Sequence, residues 1–320
     1  MLKLDKKDKK ILAILDMGAR LPLTQIAKKV QLSREVVNYR IKQLEKKKII
    51  ENYYVALDTT KLGLIYCRIF LKYRQMTKEK EQQLLQYCNT SKTITWVALG
   101  EGKWDITIVL LAKNLEKIEE TYDNLSTEFG KSFQNPYLTI AFAIHHFKHN
   151  YLYDTKDKTN LVLGKRPTKT YDKLDLNILN TLKKDARMSL IDLAKKVNTT
   201  AKVVQYRIKK LKEEKVILAF RTKINTKLLE HDHWKVFLTL QNMTKQKEKQ
   251  LYSYFQFHPS VIYITKPMGM HNLEFEVMVK STNELHEFIR TLKVEFGEII
   301  VDYDTMLNYE EPLLTYLPLE

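Results

Sequence analysis

Residues 27–44 read AKKVQLSREVVNYRIKQL and residues 194–211 read AKKVNTTAKVVQYRIKKL: one segment written twice, 167 positions apart. Val37, Ile41 and Leu44 in the first, and Val204, Ile208 and Leu211 in the second, recur at i, i+4 and i+7. That spacing lays a single apolar stripe along a helix. Ser33 and Thr200 stand where an N-cap hydroxyl belongs. Opposite the stripe lie Glu35, Asn38, Tyr39 and Lys42 in the first copy, and Lys202, Gln205, Tyr206 and Lys209 in the second. Each segment is therefore a helix with one face to bury and one face of hydrogen-bonding side chains.

Upstream, Ile11, Leu12 and Leu15 between Asp5 and Asp16 predict a first helix with acidic residues in its first turn, ending near Gly18. Thr24 opens a short second helix over residues 25–30, and Gln31-Leu32 makes the turn into the third. Downstream, the β-branched and aromatic run from Ile49 to Leu57 predicts a strand or wing. The second copy repeats these steps over residues 172–182, 190–197 and from Thr200 onward. The self-match needs no gap from Asp5 to Thr59. It keeps register at Met76/Met243, Gly102/Gly269 and Phe129/Phe296. A period this long is a duplicated domain set, since solenoid repeats run to about 20–50 residues.

After each helical module, strand-like and helix-like runs alternate. The first copy reads as strand 65–73, helix 77–88, strands 93–99 and 104–111, helix 115–129 and strand 137–147; the second as 235–241, 245–257, 261–265, 273–279, 283–296 and 298–308. This βαββαβ order is the ferredoxin-like arrangement, whose sheet leaves one face to be covered by another such sheet. The expected fold class is α+β, two tandem units of winged helix-turn-helix plus ferredoxin-like domain. The expected boundaries are 1–60, 64–148, a linker over 149–170, 171–227, 233–310 and a tail over 311–320. DTKDKTN and GKRPTKT mark the linker, interrupted by an apolar Leu161-Val162-Leu163.

The formal charge of +16 is concentrated. Residues 1–50 carry 14 Lys+Arg against 5 Asp+Glu, and residues 165–217 carry 15 against 6, so each helical module is +9 and the remainder is slightly negative. Two basic modules on a near-neutral body point to a polyanion, with double-stranded DNA ahead of a membrane surface because neither module has a broad apolar insertion face. Cys67 and Cys88 are the only cysteines, which excludes a disulfide framework and fits a reducing compartment. With no apolar run of signal or membrane-span length, a cytoplasmic protein is expected.

LDKKDKKILAILDMGARLPLTQIAKKVQLSREVVNYRIKQLEKKKIIENYYVALD, with its spaced aspartates, Arg20, Ile26-Ala27, Leu32-Ser33 and Arg40-Ile41 followed by Leu44-Glu45, resembles the helix-turn-helix of the Lrp/AsnC transcription regulators. The likeness extends over roughly residues 4–147 and 171–310. It implies that the third helix enters the major groove, with Ser33, Arg34, Asn38, Tyr39 and Arg40 facing DNA in the first copy and Thr200, Lys202, Gln205, Tyr206 and Arg207 in the second. The residues themselves also admit another role: Tyr39 and Tyr206 packing on the wing, Arg40 and Arg207 pairing with acids of the first helix. Lys48 and Lys215 occupy a turn where the family usually has Gly.

The α+β part looks like the family's regulation-of-amino-acid-metabolism domain. There, a Gly and an Asp three positions on stand near the site of a small effector, often an amino acid. Gly102 and Asp105 fit that pattern, and Gly269 and Asn272 fit it in part. Asp105 could equally be a hairpin-turn carboxylate without a ligand.

No phosphate-binding loop, dinucleotide fingerprint, zinc-spaced Cys/His set or nucleophile motif is present, so neither cofactor nor catalysis is expected. His145 and His146 would point to opposite faces of a strand, which disfavours a metal site with His149. The competing expectations are an enzyme resembling the sirohaem-type decarboxylases, built from two fused units of this kind, and a chromatin-type protein coating DNA without a defined operator. The leading expectation is a single-chain pseudo-dimer that regulates transcription, answers to an amino-acid-like effector and can assemble further.

Overall fold

The computed structural model describes residues 4–164, 170–183, 185–315 and 317–318. In chain order the first copy contributes α1 (Lys6–Gly18), α2 (Leu23–Val30), α3 (Arg34–Lys46), β1 (Ile50–Leu57), β2 (Ile65–Tyr73), α4 (Lys78–Thr90), β3 (Ile94–Gly102), β4 (Ile106–Ala112), α5 (Leu115–Phe129) and β5 (Phe133–Phe147). After β6 (Asn160–Leu163) the second copy supplies α6 (Lys173–Leu182), α7 (Leu190–Lys196), α8 (Ala201–Glu213), β7 (Ile217–Ile224), β8 (Asp232–Leu240), α9 (Lys245–Phe257), β9 (Val261–Met268), β10 (Leu273–Val279), α10 (Thr282–Phe296) and β11 (Ile300–Leu314). Two compact units cut across the duplication. A helical body holds Met1–Asp58, Phe147–Leu161 and Lys169–His231, and a strand body holds Thr59–His146, Val162–Thr168 and Asp232–Glu320.

In the helical body the stripe residues Val37, Ile41 and Leu44 close over Ile11, Leu12, Leu15, Ile26 and Val30. α2 begins at Leu23 behind Pro22, two residues before the expected start after Thr24. The expected wing is a single strand in each copy. β1 and β7 run antiparallel to one another, with Tyr53 opposite Thr222 and Val55 opposite Phe220, so each supplies the hydrogen-bond partners that a hairpin would otherwise provide. Lys48 and Lys215 both adopt φ +57°, a left-handed turn that favours Gly.

The expected linker is not a free tether over its first half. Leu152 is buried in the core of the first helical module, with Tyr151 and Tyr153 packed against it. Lys148 pairs with Asp157 at 2.8 Å, and the Asn150 amide donates to the Asp157 carbonyl at 2.9 Å. The apolar Leu161–Leu163 piece falls in strand β6, beside β5. Residues 165–169 of that linker lie outside the described residues.

In the strand body each copy forms a four-stranded antiparallel sheet with its helices on one side, β5-β2-β4-β3 in the first and β11-β8-β10-β9 in the second. The last strand of each copy is 15 residues long, enough to serve two neighbours. β11 pairs with β8 through its first half and with β3 through its second, Leu314 reaching Trp96. The supposed tail is thus strand as far as Leu314; Tyr316, Leu319 and Glu320 lie outside the described residues. β5 likewise pairs with β2 and then with β9, and the eight strands close into a ring. Cys67, Ile69, Leu84, Cys88, Ile108 and Ile118 belong to the core between the first sheet and its helices. On the other face Phe70 meets its repeat-mate Phe237 edge-to-face at 5.4 Å, with Trp104 and Met306 around them.

Candidate nucleic-acid interface

α3 and α8 are set up by the same chemistry. The Ser33 hydroxyl accepts from the Val36 N–H at 3.2 Å, and the Thr200 hydroxyl from the Val203 N–H at 3.3 Å. Both hydroxyls act as N-caps and satisfy a backbone donor that the helix leaves open. With the stripes buried, Arg34, Tyr39 and Lys42 stand in solvent on α3, and Lys202, Gln205, Tyr206 and Lys209 on α8; Asn38 is half-buried. Tyr39 is 64% and Tyr206 61% exposed, so neither ring packs on a strand. Val36 and Val203 are exposed as well, an apolar contribution suited to a thymine methyl. In each VV pair, at 36–37 and 203–204, the second valine falls on the i, i+4, i+7 stripe and the first lies beside it.

Arg40 and Arg207 depart from the DNA-facing expectation. The Arg40 guanidinium bonds Asp5 at 2.7 Å and Asp8 at 2.8 Å. Arg207 bonds Asp172 at 2.6 Å and Asp175 at 3.2 Å. Asp5 and Asp172 also cap their own helices, accepting from Asp8 and Asp175 N–H groups at 2.8 Å. Those backbone bonds, together with the arginines, hold both carboxyls below their ordinary range. Each arginine is thus a clamp that fixes the third helix of its module to the start of the first helix. The spaced aspartates are the clamp's other jaw.

At the central-strand turns, Asp105 is already in use. Its carboxylate accepts from the Tyr73 N–H at 2.7 Å and pairs with Lys72 at 2.7 Å. Asn272 does the same in the second copy, accepting from the Leu240 N–H at 2.6 Å. The shared role is an acceptor for a strand-end N–H, which Asp and Asn both supply, and this corrects the picture of Asp105 as an open ammonium anchor. Gly102 (φ +123°) brings its turn against the Thr305 carbonyl, which a Cβ would meet at 2.5 Å, and the Lys103 N–H donates to that oxygen at 3.0 Å. Gly269 packs against the Tyr137 hydroxyl, which accepts from the Met270 N–H.

Residues 4–45 match the AsnC-type helix-turn-helix domain, and residues 171–217 match a winged helix-turn-helix DNA-binding domain. The chain is 33% identical over 128 residues to the HTH-type transcriptional regulator LrpA of Pyrococcus horikoshii, a stretch covering 40% of this chain and 87% of that protein. The chain belongs to the Lrp/AsnC family. The proline dehydrogenase transcriptional activator of Rhizobium radiobacter is 30% identical over 144 residues, 44% of this Lrp/AsnC chain and 86% of the relative. Each relative accounts for one copy, so this member carries the family unit twice. The crystal structure of the siroheme decarboxylase NirDL is similar across both copies, with a TM-score of 0.61 at 13% identity, covering 98% of this chain and 94% of that one. At that identity the likeness is one of fold. Among the described residues no cluster of three or more His, Cys, Asp or Glu could hold a metal ion, and no helix is long and apolar enough to cross a membrane.

Proposed function

We propose that this Lrp/AsnC chain is a DNA-binding transcription regulator that reads two unlike half-sites in a fixed order, one with α3 and one with α8. The observation that supports it is the pair of exposed, capped helices whose outward faces differ: Arg34, Glu35 and Asn38 on one stand where Ala201, Lys202 and Gln205 stand on the other. Helix-turn-helix pairs read half-sites about 10–10.5 base pairs apart or at multiples of that spacing. Selection of bound fragments from random duplex, followed by exchange of the two half-sites, tests the reading. An optimum that loses affinity on exchange is expected; a strict palindrome, or equal binding in either order, overturns it. Asn38→Ala should alter sequence preference, and Tyr39→Ala should weaken binding with little change in stability. Each neutralised phosphate adds about −0.9 to the log–log salt slope, so a flat salt response speaks against DNA altogether.

Modulation by a small amino-acid-like ligand near the Gly102 and Gly269 turns is part of the proposal and is supported by the family resemblance. A thermal-shift screen of amino acids tests it, since a ligand of the native state raises the melting temperature. The whole-chain likeness in fold to a siroheme decarboxylase is tested by titration with an iron porphyrin. Saturable binding with a shifted visible spectrum would support an enzyme in place of a regulator.

A further inference from the structure

Inside the strand ring five ionisable side chains form one buried chain. Arg68 makes a two-pronged contact with Glu274, the Nη2–Oε1 bond measuring 2.9 Å. Lys235 reaches Glu274 at 3.0 Å and Glu276 at 2.8 Å, and His233 Nε2 lies 2.8 Å from the Glu276 carboxylate. Arg68, Lys235 and Glu274 are each at most 4% exposed. Burial opposes charge on both glutamates, but Arg68 and Lys235 outweigh it at Glu274, and Lys235 and His233 at Glu276, holding both carboxyls below their usual range.

The 167-residue offset makes this chain informative. Arg68 and Lys235 are repeat-mates, so both copies keep a buried cation at that place. The mates of Glu274 and Glu276 are Thr107 and Val109. Both carboxylates come from the second copy. The helical body divides its charges in the same way: Asp16 of the first copy meets Arg221 of the second at 2.6 Å, both fully buried, and their repeat-mates are Lys183 and Tyr54. Two first-copy modules placed together would bury two arginines facing threonine and valine, and would leave Asp16 opposite a tyrosine. Two second-copy modules would bury four glutamates around two lysines and two histidines, and would set Arg221 opposite a lysine. An ion left in the interior without its counter-ion is heavily penalised, whereas in the mixed pair Arg68, Lys235 and both glutamates each have an oppositely charged partner.

We propose that the two copies recognise each other by these divided charges, so that a first-copy module accepts a second-copy module and refuses its own kind. The same rule excludes any module from another regulator whose inner sheet face lacks the two carboxylates. The chain is thereby insulated from exchange with single-unit members of its family. Charge complementarity here selects the partner, and the sheets' apolar residues supply the area.

The intact chain can be made to present like faces. Glu274→Thr with Glu276→Val gives both sheets the first-copy face, and Thr107→Glu with Val109→Glu gives both the second-copy face. Each half-exchange should lower the melting temperature by about 10 °C or more, taking ~2–4 °C per kcal/mol for domains of this size. All four substitutions together move the carboxylates to the other copy and should recover at least half of that loss at unchanged solution mass. If neither half-exchange folds, a cooperative transition in the fourfold variant carries the same meaning. Half-exchanges that melt like the parent, or a fourfold variant that falls by the sum of the two, would overturn the proposal.

Discussion

Replacing Asp16 by alanine removes the carboxylate on which the buried charge of the helical body depends. Arg221 has no exposed side-chain surface and bonds Asp16 Oδ1 through Nη2 at 2.6 Å and through Nε at 3.2 Å. The His149 N–H donates to the other oxygen at 2.8 Å. Burial alone would raise the Asp16 pKa, yet Arg221 and His149 reverse the effect and keep it low, so the ionised form is the one that is bound. Truncation takes the Asp16 counter-charge from a buried guanidinium, which costs about 3–5 kcal/mol, and takes the acceptor from a backbone donor, about 1 kcal/mol more. Urea unfolding should therefore show a loss of about 4–6 kcal/mol, with the deficit unchanged between low and high salt because buried pairs are little screened. Glu213→Ala, which breaks the exposed pair with Lys209 at 3.8 Å, should cost under about 0.5 kcal/mol. An Asp16→Ala loss below about 1 kcal/mol, or one that fades with salt, would refute the assignment of a desolvated pair.

Three further outcomes are expected. Lys48→Gly should stabilise by roughly 0.5 kcal/mol: a residue with a Cβ costs about 1–2 kcal/mol at φ +57°, and the added freedom of Gly in the unfolded chain returns part of that, as a chemical melt would read. Asp105→Asn should be nearly neutral in a thermal melt because Asn still accepts from the Tyr73 N–H, whereas Asp105→Ala should cost about 1–2 kcal/mol. Stability should fall with acid in two stages. His258 and His271 are held below 6.5 by burial, so the unfolded chain takes up protons first once the pH drops under about 6.5. Asp16, Glu274 and Glu276 are held below their ordinary values of 3.8 and 4.5, so their contribution is complete above those values and is lost as pH falls past them. A melting temperature that rises as pH falls from 6.5 to 5 would contradict the histidine assignment, and one that rises between pH 4.5 and 3 the carboxylate assignment.

The duplication, the order of elements and the exposed face of the third helix were legible because each is written in local periodicity. β2, β10, α5 and α9 begin and end where the residue pattern places them. The direction of Arg40 was not, since an arginine on the flank of a helix stripe can reach either outward or back to a neighbouring helix. What decides between them is how close Asp5 and Asp8 come once α1 and α3 have packed. The pairings β1–β7, β3–β11 and β5–β9 were out of reach for a related reason. A strand's side-chain pattern says which face is buried but does not say whose backbone lies alongside, and the only hint was the length of the last strand in each copy. Leu152 shows the same limit inside the expected linker: one leucine in a polar stretch has no periodicity to declare it core.

The closure of β1 on β7, and of the two sheets on each other, within one polypeptide bears on gene dosage. A regulator assembled from separate subunits must associate before it can bind, so its active fraction falls on dilution and occupancy rises with more than the first power of expression. Here the association step is removed by covalent linkage, and the local concentration of each half around the other is set by the chain. Operator occupancy should then follow expression linearly down to a few molecules per cell, so the response stays graded at copy numbers where a dissociable relative would fall silent.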